Sequence, residues 1–366
     1  MQLRKKTYLV ATLLIISSSM VPVLGLQSSQ GIQSYGTISY QAGLLYGVCG
    51  WPWSLTERDF QEAKNLGVKY LRMDFVWVEF EPNKDAPFDF SKYDQIVGWA
   101  KNNGIEIIPL LGWVPWWINN ATEWDIPTGA AFNDFVTRFG NFVYRIVDHY
   151  KADIKYFEVW NEPNIGFWND PESPMYVYDE WHSYNTGKAV QKYVTLLKEA
   201  YAQAKMANPN CVVISGGISN YAPYLQEMYG YGAKGYFDVF GSHPYFWHGP
   251  TKNYDPDYLT SEPDRFPGIQ RMRDIMVANG DGTKNIMITE VGVDGQPGPE
   301  GDTTEAIQAR ALTRVFQKID EEFPYVIGLM WFHLRTEMEN YGLLREDYTP
   351  RQMYYAYQQI IFTHST

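Results

Sequence analysis

From Leu44 to the C-terminus, short runs of β-branched and aromatic residues alternate with longer stretches of helical period, and the alternation repeats eight times. The short runs are Leu44 to Val48, Lys69 to Asp74, Glu106 to Leu111, Tyr156 to Trp160, Val212 to Ser215, Phe237 to Gly241, Ile286 to Glu290 and Val326 to Trp331. A helix between two strands returns the chain to the end it left, so such units build parallel sheets. Eight of them predict closure into a (β/α)8 barrel, the fold class α/β. A doubly wound open sheet is the alternative, against which stand the regularity of the units and the lack of a switch-point signature.

The helical stretches are legible by apolar spacing. Phe132, Phe135, Val136, Phe139, Phe142, Val143, Ile146, Val147 and Tyr150 recur every three or four residues, and Leu312, Val315, Phe316 and Ile319 repeat the stripe later, so both helices are expected to cover the sheet. Thr56, with Asp59 three residues on, reads as the start of the first barrel helix, its hydroxyl the cap, and Gly67 as its stop. A last helix is expected from about Pro350 to Phe362. With no low-complexity linker in the 366 residues, a single domain over residues 40–366 is predicted.

The N-terminal residues have another pattern. Arg4, Lys5 and Lys6 precede the apolar run Tyr8 to Ile16, three serines and the exit Val23-Leu24-Gly25, which reads residues 1–25 as a signal peptide. Export to a secreted or extracytoplasmic location is expected. An uncleaved anchor over Tyr8 to Leu26 is the alternative. Residues 26–39, rich in Gln, Ser and Gly, read as a flexible leader.

Composition excludes some functions. The net charge of -12, with no basic run beyond the first residues, lacks the footprint of a nucleic-acid binder. Thirteen Trp and 28 Tyr exceed what core filling needs and point to surfaces that stack on flat apolar faces such as sugar rings. Cys49 and Cys211 fall at opposite ends of the predicted strands, which makes a disulfide doubtful. His243 and His248 alone have metal-compatible spacing, without a cysteine pair or HExxH string, so no metal and no cofactor are expected. Gly230 to Gly235 matches a dinucleotide fingerprint in spacing but precedes a strand, so it reads as a loop. Asn120-Ala121-Thr122 is a glycosylation sequon.

Barrels of this kind carry their chemistry at the C-terminal ends of the strands. Two acidic residues stand there: Glu162, in Trp160-Asn161-Glu162-Pro163-Asn164 after the fourth strand, and Glu290, in Ile288-Thr289-Glu290-Val291-Gly292 on the seventh. A glycosidic oxygen leaves only if a proton reaches it as the bond breaks, and the electron-poor carbon needs an anion opposite. Two carboxyls divide that labour.

Those two strings, with Leu71-Arg72-Met73-Asp74, Ser242-His243-Pro244-Tyr245 and Met330-Trp331, fall in an order that resembles clan A of the glycoside hydrolases, especially families 5 and 39. The resemblance covers the whole barrel and implies retaining hydrolysis of β-glycosidic bonds. It assigns Glu162 as acid/base and Glu290 as nucleophile. Asn161 would bond the sugar 2-hydroxyl, Arg72 and Tyr245 would orient Glu290 and keep it ionised, His243 would join their network, and Trp331 would floor the central sugar subsite. An ion pair of Arg72 with Asp74 or Glu158 is the structural reading of that arginine. Many family 5 members carry a histidine after strand three, where this chain has Gly112-Trp113-Val114-Pro115-Trp116-Trp117, and that turns the likeness toward family 39.

Trp113, Trp116, Trp117, Trp168 and Trp247 are candidate sugar platforms, each weighed against core or loop packing. The expected partner is therefore a carbohydrate, with no nucleic acid and no membrane beyond the possible N-terminal anchor. Cellulose-like β-glucan, xylan, mannan and exopolysaccharide stay open as substrates, as does endo against exo action of the β-xylosidase or β-glucosidase kind. A non-catalytic sugar-binding barrel and an inverting hydrolase are the competing readings.

Overall fold

The computed structural model describes residues 43–118, 126–165, 176–177, 183–245, 266–295, 297–298, 301–302, 304–336 and 340–364. They lie in one compact unit, Ser39–Thr366. The predicted signal peptide and leader, the sequon, His248, Trp168 and Trp247 lie outside the described residues.

Eight parallel strands form a closed barrel: β1 (Leu45–Cys49), β2 (Tyr70–Val76), β3 (Glu106–Gly112), β4 (Tyr156–Asn161), β5 (Val212–Ser219), β6 (Val239–His243), β7 (Asn285–Val291) and β8 (Val326–Trp331). Each pairs with its sequence neighbour, and β8 pairs back onto β1, with Leu45 opposite Gly328 and Val48 opposite Trp331. That last ladder excludes the open sheet. Two strands differ from the sequence boundaries in a way that matters. β5 runs on through Gly216 and Gly217 to Ser219, and β6 is displaced so that His243 ends the strand instead of following it.

Helices α1 (Glu57–Leu66), α3 (Ser91–Asn103), α4 (Ala130–Tyr150), α5 (Lys188–Ala207), α6 (Ala222–Gly230), α7 (Gly268–Ala278), α8 (Glu305–Glu322) and α9 (Gln352–His364) follow the strands in turn, with a four-residue α2 (Trp77–Phe80) after β2. The α4 stripe read from the sequence is buried throughout. At α1 the expected capping box is present: the Thr56 side chain meets the Asp59 backbone N–H, the Asp59 carboxylate accepts from the Thr56 backbone N–H at 2.8 Å, and the Thr56 hydroxyl also contacts that carboxylate at 2.8 Å. Asp59 is itself buried and paired with Arg335 at 2.7 Å. Gly67 ends α1 with φ 99°, a left-handed turn that glycine adopts without strain. No helix among the described residues is long and apolar enough to cross a membrane.

Strand alternation sorts the side chains into two cores. Leu71, Met73 and Phe75 of β2 face outward into the large shell between sheet and helices, whereas Tyr70 faces the small inner cluster that includes Ile108, Tyr156, Ile214, Met287 and Met330. Cys49 and Cys211 are free and buried, one at the end of β1 and the other just before β5. Above the apolar inner cluster the barrel interior turns polar, with Arg72, Asp74, Glu158, His243 and Thr289 all buried.

Asp74 registers the cost of that layer. Burial pushes its carboxyl up to about 7, against the lowering effect of the Arg72 guanidinium, while the Glu290 charge adds to the rise. In the unfolded chain the same group ionises near 3.8. The folded state therefore holds an extra proton between about pH 4 and about pH 7, and the stability that proton brings is full below that window and lost as pH rises through it. Thermal unfolding should show a falling melting temperature from pH 5 to pH 8 worth at most about 3 kcal/mol from this group. Asp74→Asn should flatten the slope; an unchanged slope would remove Asp74 as its origin.

Candidate active site

The turn that presents Glu162 is held from several sides. Pro163 cannot continue the β4 ladder, and Asn164, buried behind it, exchanges two hydrogen bonds with Ser219 at the end of β5, at 2.6 and 3.0 Å. The Pro163 carbonyl accepts from Tyr224 and Asn185. Trp160 and Glu162 both have positive φ, 72° and 42°, a costly backbone for residues other than glycine that this pinning maintains.

Arg72, on β2, joins the two halves of the site. Its Nε donates to Glu158 Oε2 at 2.6 Å, Nη1 to Glu290 Oε2 at 3.0 Å and Nη2 to Asn161 Oδ1 at 2.8 Å. It thus makes the ion pair with Glu158 and orients Glu290 as well, while Asp74 influences it by charge. The other oxygen of Glu290 accepts from the Tyr245 hydroxyl at 2.6 Å. Burial and the Glu290 charge hold that phenol well above its ordinary range, so it stays a donor. With both oxygens receiving strong donors, Glu290 is built as an anion. Asn161 spends its oxygen on Arg72, which leaves its NH2 to donate.

Glu162 stands in a different setting. Its Oε1 lies 2.9 Å from His243 Nδ1, and His243 Nε2 lies 3.0 Å from the Thr289 hydroxyl. Thr289 in turn donates to Glu158 Oε1 at 2.7 Å, where the Gly217 amide also donates at 3.0 Å. Gly217 is required: a Cβ there would stand 2.1 Å from His243 Nε2. Glu158, Thr289 and Gly217 were not singled out as site residues in the sequence. The available signal was the inward register of a glutamate four residues before Glu162.

An oxygen of Glu162, an oxygen of Glu290 and a ring nitrogen of His243 lie within 4.8 Å of one another. Such a trio can hold a divalent cation in principle, but both nitrogens of His243 already have hydrogen-bonding partners. The arrangement instead offers one carboxyl held as an anion and a second in contact with a proton-carrying ring.

The tryptophans divide. Trp331 is completely buried in the outer shell, so it packs the core and presents no floor to a sugar. Trp117 is half-buried, donates to the Glu81 carbonyl at 2.9 Å and sits edge-on to Trp77, a loop-packing role. Trp113 is half-buried and hydrogen-bonded to Asp74. Trp116 is exposed and available for stacking. The sequence reading passed over Trp51 and Trp53 after β1, whose rings stack at 4.8 Å with Trp53 exposed; the rule that flagged the loop after β3 applies equally there.

Residues 74–216 match the family model described as Glycosyl hydrolase family 10, a span that contains Asn161 and Glu162 and ends before Glu290. Family 10 was not among those named from the motifs. A family 39 glycoside hydrolase from Bacteroides cellulosilyticus WH2 superposes with TM-score 0.67 at 22% identity, over 87% of this chain and 64% of that one. A monomeric β-xylosidase from Caulobacter crescentus CB15 gives 0.63 at 17% identity, covering 88% and 69%, and xylanase 10B from Thermotoga maritima gives 0.57 at 18%, covering 87% and 95%. Among curated proteins, a β-amylase from Bacillus cereus is 36% identical over 59 residues, 16% of this chain and 11% of that protein. The chain thus spans less than two thirds of the family 39 enzyme and about a tenth of the amylase. By its closed barrel and by the family 10 match from β2 into β5, the chain is a (β/α)8 protein similar to the clan A glycoside hydrolases.

Proposed function

We propose that the protein is a retaining β-glycoside hydrolase in which Glu162 is the acid/base and Glu290 the nucleophile. The observation that carries this reading is that one oxygen of Glu162 lies within 4.8 Å of one oxygen of Glu290. Retention needs a separation of about 5 to 5.5 Å, whereas inversion needs about 6.5 to 9.5 Å to seat a water between carboxyl and sugar. The asymmetry of their partners supports the division of roles. Glu290, held by Arg72 and Tyr245, attacks the anomeric carbon while Glu162 protonates the departing oxygen. Water then enters, Glu162 takes its proton, and the glycosyl ester on Glu290 is cleaved. The Asn161 NH2 is placed to donate to the sugar 2-hydroxyl.

For substrate, xylan and xylo-oligosaccharides come first, ahead of β-glucan, mannan and exopolysaccharide, because the similar structures include enzymes named as a xylanase and a β-xylosidase. Exposed Trp53 and Trp116 fit a cleft that binds a chain at several sugars. The basic and apolar pattern of residues 1–25 supports an exported enzyme.

Nuclear magnetic resonance of the first sugar released from xylan or an aryl β-xyloside should show the β anomer; an α anomer would mean inversion, and sugar binding without any hydrolysis across the four glycan classes would mean a non-catalytic barrel. Glu290→Ala should lose activity by roughly three orders of magnitude or more. Added azide should restore turnover of an activated aryl glycoside and yield the α-glycosyl azide. Full activity in that variant sinks the assignment of Glu290. Gly217→Ala should push His243 off Glu162 and cut kcat/KM about tenfold or more with the circular dichroism spectrum retained; unchanged kcat/KM would show that the ring has room to move.

A further inference from the structure

The contacts around His243 fix where hydrogens lie. Glu158 is completely buried and receives three donors: Arg72 Nε at 2.6 Å, the Gly217 amide at 3.0 Å and the Thr289 hydroxyl at 2.7 Å. Facing a guanidinium and an amide, it is an anion and can only accept. Thr289 has one hydroxyl proton, and Glu158 takes it. The remaining contact of that oxygen, 3.0 Å to His243 Nε2, is then acceptance, so Nε2 carries a hydrogen. In a neutral ring that leaves Nδ1 bare, 2.9 Å from Glu162 Oε1. A hydrogen bond forms there only if Glu162 holds a proton or has passed it to Nδ1. In either state the Glu162–His243 pair stores one proton.

We propose that Thr289 is a positioning residue that locks this arrangement and so delivers Glu162 to the reaction as an acid; the inference rests on the hydrolase reading above. When Glu162 gives its proton to the glycosidic oxygen, the carbon–oxygen bond breaks, the leaving group departs as an alcohol and the sugar is esterified to Glu290. The Glu162 carboxylate then faces a bare nitrogen, which disfavours it as an anion, and it takes a proton from the water that cleaves the ester. Charge and protons balance over the cycle. Without the threonine hydroxyl, the acceptor left facing Nε2 is Glu158 Oε1 at 3.9 Å, too far for a hydrogen bond. The ring is free to place it on Nδ1 and donate to Glu162, which stabilises the anion and removes the acid. Arg72 holds Glu158 through its other oxygen, Oε2, so that contact and the one from Arg72 to Glu290 do not run through the threonine hydroxyl.

Thr289→Val and Thr289→Ser test this. With Val, kcat/KM for phenyl β-xyloside, whose departure needs a proton, should fall at least about tenfold further than kcat/KM for dinitrophenyl β-xyloside, whose departure does not. Ser, which keeps the hydroxyl, should restore the wild-type ratio. Equal losses on both substrates would overturn the proposal and leave Thr289 a packing residue. Nitrogen-15 spectra of the histidine rings, with His243 assigned by its absence in His243→Gln, give a readout free of turnover. The wild type should show a protonated Nε2, and Thr289→Val should show the hydrogen moved to Nδ1. A bare Nε2 in the wild type overturns the proposal. Failure of the wild type to cleave either xyloside would count against the xylan preference, and failure on all four glycan classes against the hydrolase reading, while the ring spectra still decide the position of the hydrogen.

Discussion

The buried contact between Arg72 and Glu158 is the constraint around which the site is arranged. Neither charge could stay in a barrel interior without the other, because a desolvated ion costs several kcal/mol and breaking one partner of a buried pair typically costs about 3 to 5 kcal/mol. The pair settles that cost and leaves donors and acceptors over. Arg72 uses its surplus on Glu290 and Asn161. Glu158 uses its surplus on Gly217 and, through Thr289, on His243. The two carboxyls proposed to do the chemistry are thus oriented by opposite ends of one ion pair, supplied by β2 and β4. Asp74, two residues along β2, shares the same dry layer with no cation of its own, and its raised titration is the consequence.

Much of this was legible in the sequence, for physical reasons that differ by element. The strands and the α4 stripe were readable because burial enforces a period, two for a strand and three to four for a helix. The upper ends of β5 and β6 extend past the boundaries expected from the sequence, where Gly216, Gly217 and His243 resemble turn residues. Gly217 leaves room for the His243 ring, and Gly216 for the Val159 and Trp160 carbonyls. Glu162, Glu290, Arg72, Asn161 and Tyr245 were found by their motifs, and the structure brings them together. Trp331 shows the limit, since whether a tryptophan meets solvent or the shell depends on tertiary position that no local string encodes. Glu158 is legible in the sequence only as a partner for Arg72, and Thr289 has no local signal, because the contact between them joins residues 131 positions apart.

The comparisons divide along the same line. The family 10 match covers the half of the barrel with Arg72's neighbour Asp74, Asn161 and Glu162, and stops before the strand that carries Thr289 and Glu290. The structural likenesses span nearly the whole barrel at identities that speak for fold alone. What ties the second half to the first is therefore geometry: Arg72 reaching Glu290, and Thr289 reaching Glu158.

The apolar inner cluster described beneath the polar layer has a consequence for the order of events. Tyr156, Ile214, Val239, Met287 and Met330 pack the barrel interior below the carboxyls with apolar side chains, which disfavours water there. On the proposed reading, the hydrolytic water reaches the ester from the C-terminal side of the strands, the side on which the severed half departs. An incoming sugar hydroxyl that reaches the vacated space first then competes with water for the same ester.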